Sequence, residues 1–172
     1  MRRRTSTGKN GGSKERRVTP EGMRLQLAGL CARSEQNEYD LRQKMRRKGL
    51  TPEETEGIIE FLKEGRYLDE ERYARAYAND KVRFSGWGIN KIRQGLRMKR
   101  VPGALIDKVI DGIDRKEYMQ SLKRAGIAKA RETDIRTPEG RAKFYRHLAN
   151  RGYESSLIIK LSDAILKKLN DR

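Results

Sequence analysis

From Met23 onward, apolar residues recur at three- and four-residue spacing, and no stretch alternates apolar and polar positions long enough to make a strand. Helix-start and helix-stop signals punctuate the pattern. Ser34 ahead of Glu35-Gln36-Asn37, with Leu41 and Met45 one turn apart, predicts an N-cap and an amphipathic helix closed by Gly49. Thr51-Pro52-Glu53-Glu54 supplies a cap, a first-turn proline and carboxylates that suit the positive end of the helix dipole, before Ile58, Ile59, Leu62 and a terminating Gly65. Asp69-Glu70-Glu71 opens a further helix with Tyr73, Ala74, Tyr77 and Ala78 as its buried stripe. Thr137-Pro138-Glu139 opens a later one in the same way.

The pattern repeats. Shifts of 51 and then 52 residues superpose Leu41, Met45, Gly49, Ile58 and Leu62 on Ile92, Leu96, Arg100, Val109 and Ile113, and these on Phe144, Leu148, Gly152, Leu161 and Ile165. Each copy reads as three helices, the first supplied by about 23–33, 69–83 and 115–131. A repeat of this period is a supersecondary unit whose neighbours complete its core. The expected fold is therefore all-α: an elongated, curved array of three tandem three-helix repeats at 21–66, 67–114 and 115–172. Ahead of it, residues 1–20 carry seven Lys/Arg, one Glu and a closing Pro20, with Val18 the sole apolar residue after Met1. Too little burial is available there to offset the entropy of ordering, so this segment is expected to be a disordered basic arm, either a passive tail or an aid to polyanion binding.

Composition supports an extended body. Only 35% of the 172 residues are hydrophobic and 38% are charged, a thin supply for one compact core. Lys+Arg number 41 against 24 Asp+Glu, a net charge of +17. No run of about 18 apolar residues exists, and the cations near Met1 are not followed by an apolar stretch, so neither a membrane span nor export is expected and the cytosol is the default. The single Cys31 lies among Leu27, Leu30 and Ala32, as a core hydrophobe would, and the single His147 has no carboxylate or cysteine at ligand spacing. No phosphate-cradling G-x-x-x-x-G-K-[ST] loop is present, Gly86-Trp87-Gly88 is too short for a dinucleotide fingerprint, and the carboxylates gather where helix capping explains them. No catalytic constellation, cofactor or metal site is expected.

The cations offer more. Residues 81–100 hold seven Lys/Arg, Lys91 among them, with no Asp or Glu, plus Phe84 and Trp87. At about 100° per residue, Arg93, Arg97 and Arg100 share a flank beside the Ile89/Ile92/Leu96 stripe. The repeat maps Arg93 onto Arg42 and Arg97 onto Arg46, so equivalent helices in two units would present arginines from equivalent faces; the third unit has Tyr145 and Ala149 there. Such a stripe suits phosphate or an acidic protein groove, or is simply a solvated face of a basic protein. Trp87, before the basic helix, is placed either to stack on a base or dock into a partner, or to cap a small core.

The run Gly65-Arg66-Tyr67-Leu68-Asp69-Glu70-Glu71-Arg72-Tyr73-Ala74, followed by Gly88, Ile89, Ile92, Leu96 and Lys99, resembles the central motif of the RecX regulatory proteins of bacteria, as does Ser34…Leu41…Met45…Lys48-Gly49 upstream. The resemblance spans about 23–170. Arg100 departs from it, standing where the family prefers a helix-ending glycine, and Asn90 and Lys91 occupy a variable pair. The resemblance implies tandem three-helix repeats and a non-enzymatic modulator that binds along the groove of the RecA–DNA filament and restrains recombinase, ATPase and coprotease activities; the chain itself is expected to be a monomer. Arg42, Arg46, Trp87, Lys91, Arg93, Arg97 and Arg100 are then the candidate contacts to RecA or to single- or double-stranded DNA. A general, sequence-independent DNA-binding module built of helix-turn-helix-like units is the competing expectation.

Overall fold

The structure, a computed structural model, describes residues 18–171. Nine α-helices and one short π-helical segment make up the described residues, with no strand among them. They run α1 (Pro20–Cys31), α2 (Glu38–Arg47), α3 (Pro52–Glu64), α4 (Glu70–Asp80), the π-helical Lys81–Ser85, α5 (Ile89–Met98), α6 (Gly103–Asp111), α7 (Arg115–Glu132), α8 (Pro138–Asn150) and α9 (Ser155–Asn170). In the first triplet α3 packs on α1 and α2, in the second α6 packs on α4 and α5, and in the third α7, α8 and α9 pack mutually. The basic arm expected at 1–20 falls, over 1–17, outside the described residues. Its last three residues belong to the folded body: Val18 packs on the first core, Thr19 Oγ1 accepts from the Gly22 amide (3.2 Å), and Pro20 opens α1, where its missing N–H costs nothing.

Local signals explain most helix ends. Thr51 and Glu54 close a reciprocal capping box on α3, and Asp69, Asp114 and Thr137 cap α4, α7 and α8. The cap of α2 is not the expected Ser34 but Asn37, whose carbonyl oxygen accepts from the Asp40 amide (3.2 Å). Ser34 Oγ instead accepts from the Gln36 side chain (2.8 Å), and the buried, extended Asn37 turns the chain into the helix. The second helix of each triplet then ends alike, with Gly49, Arg100 and Gly152 all in the left-handed region at φ 79°, 61° and 87°. Arg100 thus adopts the conformation that its equivalents reach as glycines, at a cost of roughly 1–2 kcal/mol for an L-residue. Arg100→Gly is accordingly expected to raise stability by about 1 kcal/mol, read as a higher urea midpoint; an unchanged or lower midpoint would show that its side-chain contacts outweigh the strain.

Burial follows the repeat. Leu41, Met45, Ile58 and Leu62 are buried with Met23, Leu27 and Leu68 in one core, and Ile92, Leu96 and Val109 are buried with Phe144 and Leu148 in a second. The two cores share no residue. One holds the first triplet; the other runs continuously through the second and third. A hydrophobic fraction of 35% is therefore divided between two centres. Among the described residues no helix is long and apolar enough to cross a membrane.

Candidate binding face

The junctions between triplets position the candidate residues, and they are built differently. Where the third meets the second, the Gly88 amide donates to the Arg151 carbonyl (2.7 Å) and the Asn90 amide to that of Gly152 (3.1 Å). A Cβ on Gly88 would lie closer than 3.0 Å to the backbone of Gly152 and Tyr153, and one on Gly152 would strike Lys91. Around this backbone contact, Ser121 donates to the Val82 carbonyl (2.7 Å), and the Tyr118 hydroxyl donates to Glu154 while accepting from the Ile89 amide (3.1 Å). Burial, with Glu154 beside it, pushes the Tyr118 hydroxyl far above the ordinary tyrosine pKa.

At the first junction, the repeat places Asn37 and Arg100 where the second has Gly88 and Gly152. Both glycines of the close contact are thus replaced by residues with side chains, and among the described residues no backbone hydrogen bond joins α2 to α5. The units meet instead through Lys99 with Asp40 (2.6 Å), Arg72 with Glu35 (2.6 Å) and the Arg100 guanidinium 5.8 Å from the Tyr39 ring. The result is a cleft of about 270 Å3 lined by Glu38, Tyr39, Arg42, Glu70, Lys99 and Arg100. Exposed ion pairs contribute only about 0–1 kcal/mol each, so this joint is much the weaker.

The arginines expected as one stripe divide into two kinds. Arg42 donates through Nε to Glu38 (2.8 Å) and as a fork to Glu56 (2.8 and 3.1 Å), and this hydrogen bonding holds the Glu56 carboxyl below its usual range. Arg93 pairs with Asp107, 14 residues on, as Glu56 is from Arg42. These are one interaction in two copies, tying the second helix of a unit to its third. Arg46 and Arg97, one turn further along each helix, are exposed and make no ion pair among the described residues. The spacing placed both pairs correctly on the helices; it followed the cations and overlooked the carboxylates 14 positions downstream.

Trp87 is half-buried against the second core, and both Lys81 and Lys91 place their ammonium groups over its ring (4.8 and 4.7 Å). Lys91 also reaches the Asn150 carbonyl (3.5 Å). Both residues thus lie at the junction between the second and third triplets, with two ammonium groups already drawn to the Trp87 ring. His147 accepts from Arg151 Nε (3.2 Å), with burial and then the Arg151 charge keeping its pKa below the ordinary value. Cys31 is buried and burial pushes its thiol up, the opposite of an activated nucleophile. Among the described residues no group of three or more His, Cys, Asp or Glu could hold a metal ion.

The model of the RecX second three-helix domain matches residues 69–110. A "Regulatory protein RecX" of Pseudomonas savastanoi pv. phaseolicola is 32% identical over 145 residues, which span 83% of this chain and 91% of that protein. The chain belongs to the RecX family of regulatory proteins. A Clostridium botulinum (strain Alaska E43 / Type E3) RecX is likewise 32% identical over 141 residues, 80% of this chain but 64% of its own length. The chain therefore spans under two thirds of that longer relative. Two crystal structures share the fold: one of a regulatory protein RecX (TM-score 0.73, 20% identity, covering 84% of this chain and 73% of that one) and one of RecX from Lactobacillus salivarius (TM-score 0.73, 14% identity, covering 89% and 97%). The all-helical tandem arrangement is thus that of the family. The motif around Gly65–Ala74 that carried the resemblance overlaps the start of the matched domain.

Proposed function

We propose that this RecX protein binds the RecA–DNA filament in the cytoplasm, as a monomer, and restrains RecA's recombinase, ATPase and coprotease activities without catalysis of its own. The observation that supports it best is the pair Arg46 and Arg97: the same position in successive units, exposed, and left without a carboxylate while their neighbours Arg42 and Arg93 are each given one. Guanidinium groups kept uncompensated at a repeating position suit repeating anions, carboxylate or phosphate, on an elongated partner. Arg100 adds to the reading, since an arginine retained at a strained left-handed position serves something other than the helix end. The array would lie along the groove with α2 and α5 facing the filament, its units bridging neighbouring RecA subunits.

Titration of RecA's DNA-dependent ATP hydrolysis with the full chain tests this. Inhibition is expected at protein concentrations far below those that cover the DNA lattice. A second reading, a general DNA-binding module, draws on the net charge of +17 and requires inhibition to begin only as the lattice saturates.

A further inference from the structure

We propose that Phe84 is a stacking platform for an unpaired base of a single-stranded nucleic acid. Phe84 is 83% exposed, the most exposed of the large hydrophobic side chains among the described residues. Its backbone, by contrast, is held on all sides. Val82 is buried in the core, and Ser121 donates to its carbonyl; Arg124 reaches the Arg83 carbonyl (3.5 Å) and Arg151 those of Ser85 (3.0 Å) and Gly86 (3.4 Å). Gly86, left-handed at φ 60°, then ends the segment. Single π-helical turns within or beside α-helices are rare and concentrate at functional sites. With the backbone beneath it already fixed, the ring gives up no main-chain entropy on stacking and only the freedom of its two side-chain torsions.

The surroundings select the occupant. No Asp or Glu lies between Lys81 and Arg100; Arg83, Arg93 and Lys99 are paired with Glu117, Asp107 and Asp40 from other segments, while Lys81, Lys91 and Arg97 make no ion pair among the described residues and remain available to a phosphate backbone. The nearby Trp87 is half-buried with two ammonium groups drawn to its ring, which leaves Phe84 as the exposed aromatic of the segment. The repeat adds an independent sign: shifts of 51 and 52 put exposed Arg33 and Arg136 at the position of Phe84 in the flanking units. A guanidinium plane also stacks on bases, and the fork from Arg136 to Asp134 (2.9 and 3.2 Å) engages the edge of that group rather than its face, so the turn before the second helix carries a flat group in every unit. A hydrophobic protein pocket would account for the phenylalanine but not for arginines in its place.

This inference rests on the reading that the basic face meets nucleic acid, and its test separates the two. The full chain and its Phe84→Ala, Phe84→Leu and Phe84→Trp variants are titrated, at 0.15 M salt, against a labelled oligo-dT, an abasic oligonucleotide of equal length and a duplex. Being exposed, Phe84 is replaceable without unfolding, which far-UV circular dichroism checks. Loss of one stacked base corresponds to a weakening of about fivefold to 150-fold. Phe84→Ala and Phe84→Leu are expected to weaken oligo-dT binding within that range and to leave the abasic strand and duplex unchanged, whereas Phe84→Trp retains wild-type affinity. Equal oligo-dT affinity of wild type and Phe84→Ala overturns the proposal, as does equal loss on the abasic strand or rescue by leucine, which mark a merely apolar contact. So does a Phe84→Ala effect seen only with RecA present, which assigns the ring to a protein pocket. RecA ATPase inhibition by Arg46→Ala/Arg97→Ala, read in parallel, stands or falls separately.

Discussion

Gly88→Ala should lower the stability of the paired second and third units by about 3 kcal/mol or more, because the added methyl group has no empty space and no movable side chain to displace. It meets the carbonyl carbon and oxygen of Gly152 and the amide of Tyr153, all backbone. Relief requires the loop after α8 to back away from the start of α5, which breaks the 2.7 Å bond from the Gly88 amide to the Arg151 carbonyl and opens the continuous core beneath. Backbone strain is not the cause, since Gly88 sits at φ −80°, accessible to any residue. Gly57→Ala is the matched control. Gly57 lies exposed inside α3 with nothing near its would-be Cβ, so alanine there should stabilise by about 0.5–1 kcal/mol. Denaturant midpoints of the two variants decide the matter. A loss under about 1 kcal/mol for Gly88→Ala would mean that the two units are not joined through backbone contact.

Arg46→Ala combined with Arg97→Ala should raise the concentration of this protein needed for half-inhibition of RecA ATPase at least about tenfold, as expected when two charge-assisted contacts are lost. Neither side chain supports the fold, so stability should shift by no more than about 0.5 kcal/mol per site. Arg42 and Arg93 are unsuitable for this purpose because their removal takes the partner from Glu56 or Asp107; Glu38 would keep Lys63 (2.7 Å). Lys167→Ala with Lys168→Ala removes the same charge from the exposed end of α9 and should change inhibition little. At about 0.15 M salt the screening length is roughly 8 Å, so a difference between the doubles reports local contact and not net charge. Equal inhibition by both doubles would defeat the filament-groove reading and favour general DNA binding.

Much of the architecture was legible because the repeat preserves apolar identity at Leu41, Ile92 and Phe144, and at Met45, Leu96 and Leu148, all buried. A parallel line, Thr55, Ile106 and Ile158, escaped because its first copy is polar, although all three are buried. In the last unit Leu161 and Ile165 match the pattern yet remain half-buried, as Ile113 does in the middle unit. Ser34 and Asn37 are equally good capping types; tertiary burial of Asn37, not local propensity, decides between them. The π-helical turn had no sequence signal at all. Its carbonyls are claimed by Ser121, Arg124 and Arg151, partners from 39 to 66 residues away. The candidate contacts were legible as to helix and register, while their separation into compensated and uncompensated arginines required seeing Glu56 and Asp107 in place.

The unlike junctions give the molecule a particular mechanics. Under a bending load the contact between Gly88 and Gly152 behaves as a stiff splice, and angular strain concentrates between α2 and α5, where the solvent-accessible pairs Lys99–Asp40 and Arg72–Glu35 yield at little energetic expense. Arg46 and Arg97 lie on opposite sides of that compliant point. The distance between them is therefore an adjustable span: a track whose anionic sites are not spaced to match the resting molecule can still be gripped at both, with the misfit absorbed in the cleft rather than in either core.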